Sequence, residues 1–137
     1  MKKILWLSRH PLGEDQIAGL KKVLDAEVSV ETRNVLWHAS EDRHVDYEEN
    51  SKIWKDLVAA SEGNDIVICG VFPPVAIEAL NVTSEPLDYI PLEAQKSITL
   101  LSPVSKQEKS LREDGETQIK FIHLRWAKVV CREWFRN

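Results

Sequence analysis

The chain is poor in cysteine, in excess positive charge and in long apolar runs, and each shortage excludes a class of protein. Only Cys69 and Cys131 occur, with four scattered histidines. Neither cysteine belongs to a Cys-x-x-Cys pair, so no metal site or zinc module is expected from spacing. Cys69 ends an apolar run and Cys131 sits in an amphipathic tail. Both read as small core or near-core residues of a protein in a reducing cytoplasm, against the alternative of a redox or nucleophilic role. Lys and Arg number 18 against 22 Asp and Glu, a formal charge of −4, so no net field draws in a long nucleic-acid duplex. No apolar run approaches the ~20 residues that span a bilayer. Met1-Lys2-Lys3 leads only into a short strand-like run, which argues against secretion. Gly-x-Gly-x-x-Gly, the phosphate loop ending in Gly-Lys-Ser/Thr, and a serine nucleophile elbow are all missing.

What is present fits one domain over residues 1–137, with 43% hydrophobic and 29% charged residues, an ordinary balance for a folded globule. Lys3–Ser8 reads as a buried strand ended by Arg9-His10-Pro11. Glu14–Leu24 carries Ile17, Leu20, Val23 and Leu24 at helical spacing, with acids at its start and lysines near its end, as the helix dipole favours. Glu27–Glu31 alternates as a second strand. The polar stretch Ser40–Asp46 is expected as a loop in which His38 and His44 are solvated. Glu48–Ser61 is expected as a second helix closed by Gly63. Asp65–Gly70 reads as a strand covered on both faces, and Pro74–Leu80 as a third helix with proline at its first position. Asn81–Gln95 reads as irregular and Ser97–Ser102 as a fourth strand stopped by Pro103. Lys106–Glu116 is charged and turns at Asp114-Gly115, and Gln118–Trp126 is a fifth strand. The order predicts an α/β fold, a mainly parallel sheet of Rossmann-like type flanked by helices, with a late antiparallel hairpin.

In such sheets ligands bind outside the carboxyl ends of the strands. Two segments are expected there: Ser8-Arg9-His10-Pro11 after the first strand, and Gly70-Val71-Phe72-Pro73-Pro74 after the third. Each leads into a helix whose free amides favour an anion, and Gly70 would let backbone approach a phosphate. Each part has a plainer reading. Arg9 could pair with an acid, His10 could cap the next helix, and Gly70 with the prolines could be turn chemistry. His123 and Arg125, two apart on a strand, would share a face and either supply a second phosphate contact or serve as edge-strand polarity.

Together, Ile4–Pro11 and Cys69–Leu80 resemble the two paired segments of small CRISPR-associated proteins of type III systems, the ring nucleases with a Rossmann-like fold. One feature is a strand ending in a hydroxyl residue before Arg-His-Pro. The other is a strand ending Gly-x-x-Pro before an alanine-containing helix. The resemblance implies binding and metal-independent cleavage of cyclic oligoadenylate in antiviral signalling, by a homodimer that needs no cofactor and sets two clefts about an axis. Arg9 and His10 would be catalytic, clamping phosphate and moving a proton. Ser8, Gly70, Val71, Phe72 and Pro73 would hold the ligand, with His123 and Arg125 beside them. The rival expectation is a non-catalytic module, either sensing a small anionic nucleotide or contacting a protein partner in a mobile element or phage defence system.

Overall fold

The structure, a computed structural model, describes residues 1–61, 65–81 and 98–129. Its elements run β1 (Lys2–Leu7), α1 (Glu14–Leu24), β2 (Val28–Arg33), α2 (Arg43–Ser61), β3 (Ile66–Gly70), α3 (Pro74–Asn81), β4 (Ile98–Leu111) and β5 (Thr117–Val129). The strands form one sheet in the order β2-β1-β3-β4-β5. β1 pairs parallel with β2 and β3, and β3 parallel with β4, but β4 and β5 are antiparallel. The fold is α/β with a mixed sheet flanked by helices, and not the mainly parallel sheet expected.

Alternation in the central strands divides the core in two, because successive side chains point to opposite faces. Leu5, Ile66, Ile68 and Leu100 pack with Trp54 and Leu57 of α2 and with Ala76, Ala79 and Leu80 of α3. Ile4, Trp6, Val67, Cys69 and Leu101 pack on the other face with Leu20 of α1 and Trp126 of β5. All five residues of β3 are buried, as expected for a strand covered on both sides. Burial alone pushes the Cys69 thiol up to about 12, so almost no thiolate exists at neutral pH. A thiol reagent applied to the folded protein at pH 7.5 should leave the Cys69 peptide unlabelled by mass spectrometry, and label it fully in denaturant. Labelling at equal rates in both would reverse the core assignment.

Three expectations change. The second helix starts at Arg43 and not at Glu48, because the Asp42 carboxylate accepts from the His44 and Val45 amides and so caps a turn that composition alone marks as loop. Pro103 does not stop β4, which runs on to Leu111. β3 has already ended: its Cys69 pairs with Leu101, so proline there interrupts no ladder on that side. The charged stretch expected after it is therefore mostly strand, turning through Asp114 and Gly115, whose φ is 84°. The cap at Gly63, the irregular stretch beyond Asn81, Cys131 and the tail after Val129 lie outside the described residues.

Candidate functional site

β1 and β3 are neighbours and end together, with Leu7 opposite Gly70. Ser8–Pro11 and Val71–Pro73 thus leave the sheet side by side at its carboxyl edge. The first segment turns back over the α1 face. The Trp6 indole donates to the His10 carbonyl at 2.7 Å, and the His10 amide donates to Ser8 Oγ at 3.1 Å. These bonds use the His10 backbone and leave its imidazole outward. Arg9 and His10 are both exposed. Among the described residues no acid pairs with Arg9. Nor does His10 cap α1. The N-cap is Gly13, whose amide is taken by Gln16 Oε1 at 2.9 Å.

The helix ends offer an anion less than the sequence promises. Pro73 and Pro74 have no amide hydrogen, and the Ala76 amide is spent on the Pro73 carbonyl. At α1 the first turn carries Glu14 and Asp15, which oppose a phosphate there. Gly70 is buried, and a Cβ on it would lie 3.1 Å from Leu7 Cβ. Glycine at that position serves the close approach of β1 and β3. Arg33, at the carboxyl end of β2, is engaged with Glu31, and together with Lys3 it holds the Glu31 carboxyl below its ordinary range. Among the described residues, the exposed cation left for an anion at the ends of β1, β2 and β3 is Arg9.

β4 continues past the edge and, with β5, stands above it as a two-stranded wall. His123 and Arg125 do not share a face, contrary to the two-apart rule. Ser105 faces His123 and Val104 faces Arg125, which leaves Leu124 as an extra residue, a bulge. Adjacent positions of β4 point oppositely, so His123 faces α1 while the exposed Arg125 faces the α2/α3 side. His123 lies 5.6 Å from the Trp126 ring, and both its ring nitrogens are buried without a hydrogen-bond partner among the described residues. An unpaired buried polar group costs about 1–3 kcal/mol. His123→Leu should therefore leave thermal stability unchanged or raise it; a loss above about 1 kcal/mol in denaturant titration would reveal a hidden partner.

A hollow of about 460 Å³ lies between the start of α1 and this wall, lined by Gly13, Glu14, Asp15, Gln16, Ser105, Phe121 and His123. A second, of about 420 Å³, lies under the end of β2 among Arg33, Asn34, Val35, Leu36, Ile53, Asp56 and Leu57. Neither is lined by Arg9, His10 or the Val71–Pro73 turn.

One group that sequence reasoning missed sits on the α2 side. His38 Nε2 is 3.5 Å from Asp46 Oδ1, and Ser40 Oγ donates to the same oxygen at 2.9 Å. Asp46 is only 3% exposed, so its carboxylate is desolvated in front of a half-exposed imidazole. Asn50 clamps the His38 backbone, its Oδ1 accepting from the His38 amide at 2.8 Å and its Nδ2 donating to the carbonyl at 2.9 Å. A buried acid orienting an imidazole is a recurring proton-handling arrangement. His38 is thus in an irregular segment and half-exposed, though held by Asn50 and facing Asp46, while His44 is exposed as expected but in the first turn of α2 and not in a loop. The adjacent Trp37 ring lies 6.5 Å from Phe72 of the β3 turn, which ties this segment to the same sheet edge. Among the described residues, no group of three or more His, Cys, Asp or Glu side chains could hold a metal ion, and no helix is long and apolar enough to cross a membrane. Compared with known protein families, curated proteins and solved structures, the chain matches none.

Proposed function

We propose that the carboxyl edge binds a small anionic nucleotide, cyclic oligoadenylate by the resemblance above, and cleaves it without a metal, as a ring nuclease of a type III CRISPR system in the cytoplasm. The observation that carries the reading is the pairing of Leu7 with Gly70, which sets Arg9-His10 beside the Val71–Pro73 turn. In that reading a ribose 2′-hydroxyl attacks the neighbouring phosphorus in line. The P–O5′ bond breaks, a cyclic 2′,3′-phosphate forms, and the proton lost by the nucleophile is balanced by one given to the leaving oxygen. Arg9 binds the phosphoryl oxygens with its two-pronged guanidinium. His10, exposed beside it, moves the proton. Ser8 positions the His10 backbone, and the Val71 and Phe72 amides are the donors of the turn that the prolines leave.

Charge separates the parts of the ligand. Glu14 and Asp15 repel phosphate from the hollow at α1, so that space suits a base, set against the Phe121 ring with Gln16 and Ser105 at hand for hydrogen bonds. A hollow of about 460 Å³ lies within the ~300–1,000 Å³ usual for small ligands and suits one nucleotide unit, not a whole ring. A ring would then be shared between two protomers. Incubation with cyclic tetra- and hexa-adenylate, followed by chromatography of the products, tests the reading. Linear fragments ending in cyclic phosphate are expected. Binding without products would favour the sensing module, and the absence of both would end the nucleotide reading.

A further inference from the structure

The wall itself lacks support. Every residue from Ser105 through Phe121 is exposed, and the exposed large apolar side chains include Leu111, Ile119 and Phe121. A two-stranded ribbon alone in water is marginal, and open strand edges recruit further strands. Two edges are open. The outer edge of β5 carries Lys120, Arg125 and Lys128 with no acid, the pattern that blocks pairing with a like strand. The outer edge of β4 is free beyond Leu101, where β3 ends, and carries Lys106, Glu108 and Lys109.

We propose that β4 pairs with β4 of a second copy of this chain, antiparallel about a two-fold axis through Gln107, joining the two ribbons into one four-stranded sheet. Symmetry and charge choose among the axes that centre on the charged stretch from Lys106 to Lys109. A two-fold axis perpendicular to a sheet keeps each residue on its own face, so residues directly opposite must be separated by an even number of positions. An axis at Lys106 opposes lysine to lysine, one at Glu108 opposes glutamate to glutamate, and one at Lys109 again opposes like charges. With the axis at Gln107, Lys106 meets Glu108 of the second copy, twice by symmetry. Leu111 then meets Pro103, Lys109 meets Ser105, and Ser110 meets Val104. Within each ribbon Glu108 also faces Lys120, so each carboxylate lies between two ammonium groups. The pairing does not depend on the nucleotide reading and is tested without ligand.

The test is free of ligand and uses three variants of the full chain, with circular dichroism to verify folding and sedimentation equilibrium to read association. Wild type should dimerise at micromolar concentration. Lys106→Glu gives acid against acid at both contacts, and Glu108→Lys gives base against base. Each should weaken its own dimer about tenfold or more. Mixed one to one, the two variants should recover a heterodimer, which the Lys106–Glu108 ion pair within one chain cannot explain. Should the charge variants fail to fold, Gln107→Cys decides: mild oxidation should trap a covalent dimer well beyond any formed by wild type. A wild type that stays monomeric at about 100 µM would overturn the proposal. So would charge variants that dimerise unchanged, a mixture that gains nothing, or Gln107→Cys that traps no more than wild type.

Discussion

If the proposed nucleotide cleavage is this chain's activity, Arg9→Ala is expected to lower it by about 10²–10³-fold, the usual cost of removing one donor from a developing charge. The surrounding edge is poor in other groups for an anion. The α3 amino end is blocked by Pro73 and Pro74, the α1 amino end carries Glu14 and Asp15, and Arg33 is held by Glu31. Among the described residues an anion at this edge therefore has one guanidinium beside the Val71 and Phe72 amides, and the loss should appear in binding as well as turnover. His10→Ala should cut turnover by about 10²–10⁴-fold while affinity holds, because its backbone bonds to Ser8 and Trp6 survive. Both side chains are exposed, so neither change should move the unfolding midpoint by more than about 0.5 kcal/mol. Single-turnover rates and calorimetric affinities check the pair. Full activity in Arg9→Ala would remove the edge from consideration.

The largest effect on stability is expected from Trp54→Ala, about 3–5 kcal/mol out of the ~5–15 kcal/mol that holds a typical domain. Trp54 is wholly buried. Its ring lies 4.8 Å from Trp37 and stacks 5.8 Å from Phe72, and its Nε1–H donates to the Ala76 carbonyl at 2.8 Å. One side chain thus joins α2, α3, the segment after β2 and the β3 turn. Alanine would leave a large void under all four, whereas phenylalanine would lose chiefly the hydrogen bond and cost about 1–2 kcal/mol. Urea titrations of both variants measure the difference. Equal losses would mean that the ring stack contributes nothing beyond the bond. Since Phe72 belongs to the β3 turn, Trp54→Ala should also slow cleavage in protein that remains folded.

The central strands and α1 are legible in the sequence because burial imposes a pattern there: Ile4 and Leu5 serve opposite cores, and Ile66–Gly70 is apolar throughout. The ribbon is not legible for the converse reason. Between Ser105 and Phe121 neither face is covered within one chain, so no apolar alternation marks β4, and its lysines and glutamate read as a loop. The His38–Asp46 contact is not legible because composition starts the helix after Asp46, whereas the cap at Asp42 puts that acid in the first turn. The adjacency of Arg9-His10 to the β3 turn follows from strand order and needed no side-chain detail. The separation of His123 from Arg125 did, since only the pairing register reveals the unpaired Leu124.

That unpaired residue decides which way the arm faces. Excising Leu124 would make His123 and Arg125 ordinary neighbours, still opposite Ser105 and Val104, so alternation would be restored and every distal side chain would keep its face. Drawing Leu124 into the ladder opposite Ser105 would instead move Phe121 and Ile119 to the side of Lys120 and Ile122, inverting the polarity of the arm without changing its composition. β4 carries no such irregularity, so the two strands divide the labour: one keeps a regular count along its free margin, and the other absorbs the offset. A slip that paired Leu124 would consequently be felt far from where it occurs, whereas swapping its exposed side chain would be felt hardly at all.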